Sequence, residues 1–171
     1  MTTPNFFRLS DGWSRFFFST DILKCITPRE WECFYKTPLE QTKLIILGNN
    51  NGTPGTSLWG EVHEGELLTP ILLDMYKKLE EDGYYPTRDG SLEYLTRQGV
   101  LLMNIEGSEV WLSQLIEYIY NYNPNVILLC MSPQATLYAV APIESYNFKE
   151  DGVFKRINNR LFSIYNRKLK I

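Results

Sequence analysis

A chain of 171 residues is long enough for one domain with a substantial hydrophobic core. Its composition, 44% hydrophobic and 22% charged, is that of an ordinary soluble globular protein. The net charge of −3 gives the whole molecule no attraction to phosphate groups, so binding of nucleic acid would require a local basic surface.

The cysteine and histidine content argues against a metal site. Cys25, Cys33 and Cys130 lack CxxC spacing, and His63 is the single histidine, so we expect free thiols, no metal and no cofactor. The N-terminus lacks a basic segment followed by an apolar run, and no apolar stretch approaches a membrane-spanning length. We therefore expect an intracellular, cytoplasmic protein without a membrane contact.

The first part of the chain is predicted to be helical and aromatic. Residues 1–36 are expected to pack as one segment on the rest of a single domain that covers 1–171. One helical face would carry these apolar residues: Trp13, Phe16, Phe17, Phe18 and Ile22. Pro28, Trp31 and Phe34 indicate a second short turn or helix.

The remaining chain alternates strands and helices. Continuous apolar runs predict buried strands at 43–47, 99–104 and 126–130, and a fourth strand is predicted at 136–141. Apolar residues at helical spacing predict helices over 67–79, 91–97, 112–119 and 154–165. A Gly-rich loop is expected at 48–60. This alternation predicts the α/β class, with a four-stranded, mostly parallel sheet flanked by helices.

Asn104 ends the predicted strand that follows the turn at Gly99. The carboxyl end of a strand is where open α/β sheets bind ligands. A side-chain amide offers a donor and an acceptor side by side, which suits the edge of an amide-like base. Asn104 is therefore a candidate base-reading residue.

Several segments, taken in order, resemble the uracil-DNA glycosylase superfamily over roughly residues 35–165. The matching segments are TPLEQTKLIILG (37–48), GSLEYLTRQGVLLMN (90–104), Trp111 at the start of a helix, NVILLC (125–130) and the last helix. The resemblance implies the glycosylase fold. It also implies a base pocket in which Asn104 hydrogen-bonds the flipped base, with Asn49 nearby and His63 close to the position of a stacking Phe.

The family's first chemical motif, Gly-Gln-Asp-Pro-Tyr-His, corresponds to the segment that begins at Gly48, and its water-activating Asp falls on Asn50. A neutral amide cannot act as a general base or balance an oxocarbenium cation. However, the mismatch-specific branch of the superfamily uses Gly-x-Asn-Pro-Gly, in which the Asn only positions the water. The alternatives are therefore a water-positioning Asn50 and a polar turn without chemistry.

The family's second chemical motif, His-Pro-Ser-Pro-Leu, should follow the fourth strand. It supplies a His to the departing base and a Leu wedge to the vacated base stack. The corresponding segment is expected at 136–145, where Pro142 remains, Ala141 replaces the His and no Leu wedge is evident.

Two charged segments are candidate contact surfaces. An acidic rim of Glu61, Glu64 and Glu66 follows the Gly-rich loop and would repel a phosphate backbone. A C-terminal basic patch carries Lys155, Arg156, Arg160, Arg167, Lys168 and Lys170. This patch is interpreted either as a solvated helix face or as a contact for nucleic acid or an acidic protein.

These departures from the family motifs predict a catalytically degenerate glycosylase-fold protein. We expect a viral or phage accessory factor with a protein partner and only weak binding of nucleic acid. The alternative is an active glycosylase of the Gly-x-Asn-x-Gly type, in which Asn50 positions water and Asn104 reads uracil or a modified or mismatched base. A third interpretation is a binder or hydrolase of nucleosides or nucleotides that uses the same pocket without DNA.

Overall fold

The computed structural model describes residues 4–26, 28–48, 77–84, 93–105 and 109–170. The helices are α1 (Asp11–Phe18), α2 (Pro28–Lys36), α3 (77–81), α4 (Glu93–Thr96), α5 (Leu112–Tyr122) and α6 (Val153–Tyr165). The strands are β1 (Leu44–Gly48), β2 (Val100–Asn104), β3 (Ile127–Cys130) and β4 (Glu144–Asn147). Short 3-10 helices cover Asp21–Cys25, Leu39–Gln41 and Pro133–Tyr138.

The four strands form one sheet in the order β2-β1-β3-β4, and every pairing is parallel. The predicted α/β class and four-stranded sheet are therefore confirmed. Each residue of the central strands β1 and β3 is buried. Both faces of these strands are covered, which explains why their sequences are continuous apolar runs without polar alternation.

Aromatic rings dominate the packing of the N-terminal helices. Trp13 and Phe17 are buried and each meets the ring of Phe34 edge-on at 4.9 Å between centroids. The indole Nε1 of Trp13 donates to the backbone oxygen of Thr37 at 2.8 Å. The predicted face of α1 was wrong at Phe18, which is 71% exposed because it follows Phe17 by only one residue and so points to another side of the helix.

The predicted fourth strand at 136–141 was wrong. Pro133–Tyr138 is a 3-10 helix, and the fourth strand is β4 at Glu144–Asn147. The hydroxyl of Ser132 accepts a hydrogen bond from the backbone N–H of Ala135 at 3.3 Å and so caps the start of this 3-10 helix. Among the described strands, β4 pairs only with β3. It is partly exposed, so it lacks the apolar run that marks the central strands.

The predicted helices at 112–119 and 154–165 are confirmed as α5 and α6. They bury their apolar stripes, which consist of Leu112, Leu115, Ile116 and Ile119 in α5 and of Phe154, Ile157 and Leu161 in α6. Within the described residues, the predicted helix over 91–97 is present as α4, and positions 91 and 92 lie outside those residues. Most of the predicted helix over 67–79 lies outside the described residues, and its last three positions belong to α3.

Candidate functional site

The carboxyl edge of the sheet brings the ends of β1 and β2 together. Gly48 lies in register with Asn104, and the backbone N–H of Ile105 donates to the Gly48 oxygen at 2.9 Å. The chain therefore leaves β1 and β2 side by side at this edge. This is the edge at which parallel α/β sheets bind ligands.

Several predicted site residues lie outside the described residues. They are Asn49, Asn50 and His63 of the base pocket and Glu61, Glu64 and Glu66 of the acidic rim. For Asn104, the backbone position in β2 is described and the side chain is not.

Cys130 ends β3 at the same edge and is buried. Burial raises the pKa of its thiol to about 11, because the charged thiolate would lose its hydration. The thiol is therefore neutral near pH 7 and is unsuited to act as a nucleophile. In this position it serves to fill the core between β1 and β4.

The end of β4 changes the expected position of the second chemical motif. Because β4 ends at Asn147, the residues that follow the fourth strand are 148–152, and Ala141 and Pro142 instead precede the amino end of this strand. The segment 148–152 reads Phe-Lys-Glu-Asp-Gly and contains neither His nor Leu. The predicted position of the motif at 136–145 was therefore wrong, and segment 148–152 lacks its two chemical side chains as well.

A compact turn links β4 to α6. The side chain of Glu150 accepts from the backbone N–H of Asn147 at 3.2 Å, and the side chain of Asn147 accepts from the backbone N–H of Lys149 at 3.0 Å. Glu150 also forms an ion pair with Arg156 in the first turn of α6. Asn147 was missed by sequence reasoning because the polar sequence of β4 hides the strand that it ends.

Comparison with known proteins relates the chain to one enzyme family. It is 40% identical over 78 residues to the uracil-DNA glycosylase of Azobacteroides pseudotrichonymphae, a match that covers 43% of this chain and 36% of the relative. It is 31% identical over 127 residues to that of Pseudomonas entomophila, covering 63% and 55%. The structure superimposes on mimivirus uracil-DNA glycosylase with a TM-score of 0.68 and 16% identity, over 93% of this chain and 86% of that chain.

The chain has the uracil-DNA glycosylase fold, and it is similar in sequence to curated uracil-DNA glycosylases over part of its length. At 16% identity, the likeness to the mimivirus enzyme establishes the fold alone. The sequence matches span between about a third and just over a half of the curated relatives' own length. The activity of those relatives therefore does not transfer to this chain without further argument. No protein-family model matches the chain.

The predicted basic patch is divided by the glycosylase fold into two groups. Arg160 Nε donates to both carboxylate oxygens of Glu144, at 2.9 and 3.1 Å, and Arg156 is paired with Glu150. These two cations are thus partly neutralised by acids that precede them in the chain. Arg167 and Lys168 follow α6, which runs back from the carboxyl edge, so they lie near the amino edge of the sheet.

The described part of the chain shows neither a cluster of metal ligands nor a membrane-spanning helix. Among these residues, no group of three or more His, Cys, Asp or Glu side chains is arranged so that it could hold a metal ion. No helix in these ranges has both the length and the apolar character required to cross a bilayer.

Proposed function

We propose that this chain is a catalytically degenerate member of its superfamily that works as a binding factor rather than as an efficient base-excising enzyme. The observation that carries the proposal is the segment 148–152 after β4. In the superfamily motif, this place supplies a His to the departing base and a Leu wedge, and this chain has neither.

The proposal follows from the chemistry of excision. Cleavage of the glycosidic bond develops a positive charge on the sugar and a negative charge on the base, and each stabilising group is worth a few kcal/mol. Asn50 carries no charge with which to balance the cation, and segment 148–152 has no imidazole for the base. Flipping the base costs a further few kcal/mol, which a wedge would help to offset.

A protein is the partner that we propose. The ring of Phe18 is exposed and stacks on Phe6 at 4.5 Å between centroids, and Phe7 beside them is fully exposed. Exposed aromatic side chains are enriched where proteins meet. As part of the same proposal, the chain is a virus- or phage-encoded accessory factor of the host cytoplasm, for which the departure of segment 148–152 from the superfamily motif is the support.

An active glycosylase is the second candidate function. It is supported by the register of Gly48 with Asn104 and by the names of the curated relatives. In that case Asn50 would position the water and Asn104 would read the base. Asn104→Ala would then abolish the binding of free uracil in calorimetry and leave the thermal melt unchanged.

A gel assay with a uracil-containing oligonucleotide, single- or double-stranded, tests the two functions. We expect no strand breakage after alkali above a buffer control, with the Enterococcus faecalis uracil-DNA glycosylase as the positive control. Breakage well above the buffer level that is lost in Asn50→Ala would overturn the proposal. It should persist in Asn121→Ala, a control that removes an exposed amide from α5.

A further inference from the structure

A basic cavity of about 470 Å³ lies at the amino edge of the sheet, opposite the candidate base site. It is bounded by residues that precede β1 and β2 and by the segment that follows α6. Five cationic side chains line it: Lys43, Arg97, Arg167, Lys168 and Lys170. Three separate segments of the chain therefore deliver positive charge to one concave site.

The backbone around the cavity is held by specific contacts. The N–H groups of Lys43 and Leu44 both donate to the Gly99 oxygen, at 2.8 and 3.3 Å, which ties the starts of β1 and β2 together. The side chain of Gln98 donates to the backbone oxygen of Lys170 at 2.9 Å and accepts from its N–H at 2.6 Å. The segment after α6 is thus fixed against the start of β2, and its cations are held at the cavity.

Among the described residues that line this cavity, cations outnumber carboxylates. Glu40 is the one carboxylate among the described lining residues, and its Oε1 accepts from the backbone N–H of Gly12 at 2.7 Å. Within the described ranges, none of the five cations forms an ion pair, whereas Arg156 and Arg160 elsewhere on the C-terminal segment each have a carboxylate partner. Clustered like charges repel one another, and a bound anion would remove that penalty.

We propose that this cavity binds a small ligand that carries two or more phosphate groups. Its volume lies in the range of small-molecule sites, and its arginine and lysine side chains are the donors that phosphate oxygens prefer. A strand of this length spans roughly 16 Å, so a DNA base held at the carboxyl edge would not bring its own phosphates here. The site is therefore independent of base reading.

Isothermal calorimetry and thermal melts with sodium pyrophosphate and with a nucleoside triphosphate test the proposal. Ionic strength is held constant with sodium chloride, and sodium sulfate and a short single-stranded oligonucleotide are run in parallel. We expect pyrophosphate at about 1 mM to raise the melting temperature of the wild type, because a ligand that binds only the folded state stabilises it.

The decisive comparison is between two variants with the same change in net charge. Arg97→Gln with Lys168→Gln removes two exposed cations from the cavity, and Arg15→Gln with Lys24→Gln removes two exposed cations outside it. We expect the cavity variant to weaken pyrophosphate binding at least about tenfold, with no fall in its melting temperature in the absence of ligand, and the control to bind like the wild type.

Four results would overturn the proposal. They are no shift with either phosphate compound, an equal shift with sulfate, an equal loss in both variants, and binding of the oligonucleotide alone.

Discussion

Asp82 accepts a hydrogen bond from the backbone N–H of Phe154 at 2.8 Å, although 72 residues separate them in the chain. Phe154 lies in the first turn of α6, where N–H groups have no partner within the helix. Asp82 is buried and follows α3. It therefore fastens the end of one helix to the beginning of another and places a carboxylate at the positive end of the α6 dipole.

We expect Asp82→Ala to lower the free energy of unfolding by about 1–3 kcal/mol, because a buried N–H would lose its acceptor. Asp82→Asn should cost less, since an amide oxygen still accepts. Asp151→Ala, at an exposed acid close to the same helix end, is the matched control. Chemical denaturation measures all three, and equal losses for Asp82→Ala and Asp151→Ala would contradict the capping role.

Gly99 and Gly152 allow backbone strain to be separated from steric overlap. Both have positive φ angles, +86° and +66°, which side chains larger than hydrogen disfavour. A Cβ at Gly99 would overlap the backbone oxygen of Gln41, whereas a Cβ at Gly152 would meet nothing within 4 Å. Gly99→Ala must therefore displace backbone at the start of β1 and β2.

We expect Gly152→Ala to cost about 1–2 kcal/mol from the left-handed backbone alone. Gly99→Ala should cost clearly more, because the overlap with Gln41 is added to the same strain. Thermal melts of the two variants under one set of conditions provide the comparison. A loss at Gly99 no larger than that at Gly152 would mean that the contact with Gln41 relaxes freely.

The sequence predicted the central sheet well and its edge poorly, for a physical reason. β1, β3 and positions 100–103 of β2 are buried apolar runs, so consecutive apolar residues in the sequence predict their burial. β4 pairs with β3 alone among the described strands and tolerates Glu144 and Ser145, so its strand character depends on β3 rather than on its own side chains.

The backbone position of one candidate site residue could also be predicted from the apolar runs. The position of Asn104 at the end of β2 follows from the apolar run before it, and the structure agrees on the backbone. The charge state of the basic patch could not be predicted in this way. A count of cations after Asp151 does not reveal that Arg160 pairs with Glu144 and Arg156 with Glu150. Charge pairing between separate segments can be predicted only once the tertiary structure is known.

The reactivity of the cysteines should differ sharply. Cys25 is exposed, whereas Cys130 is buried and its pKa is raised to about 11 by desolvation. At pH 8 the thiolate fraction of Cys130 is therefore very small, and iodoacetamide should modify Cys25 while leaving Cys130 intact. Mass spectrometry of peptides from the native protein checks this. Modification of Cys130 as fast as that of Cys25 would contradict its burial.

The same shift in pKa predicts a dependence of stability on pH. A thiol whose pKa is higher in the folded state than its ordinary value of 9.0 stabilises the fold in its neutral form. That contribution is fully present below about pH 9 and is lost as the pH rises towards 11. Cys130→Ser would remove this dependence, and melts at pH 8 and pH 10 for both proteins measure it.

Binding of DNA at near-physiological salt should be weak. The net charge of −3 gives no steering towards phosphates, and Arg156 and Arg160 already have carboxylate partners. Sub-micromolar binding to DNA with a steep salt slope, abolished by neutralising Arg156, Arg160 and Arg167, would instead identify nucleic acid as the partner.

A protein partner should be recovered in a pull-down from the native cell. We expect its association with this chain to survive nuclease treatment and to be lost when Phe7 and Phe18 are replaced by Ser. Replacement of exposed Leu137 by Ser is the matched control, because it removes an apolar side chain elsewhere on the surface.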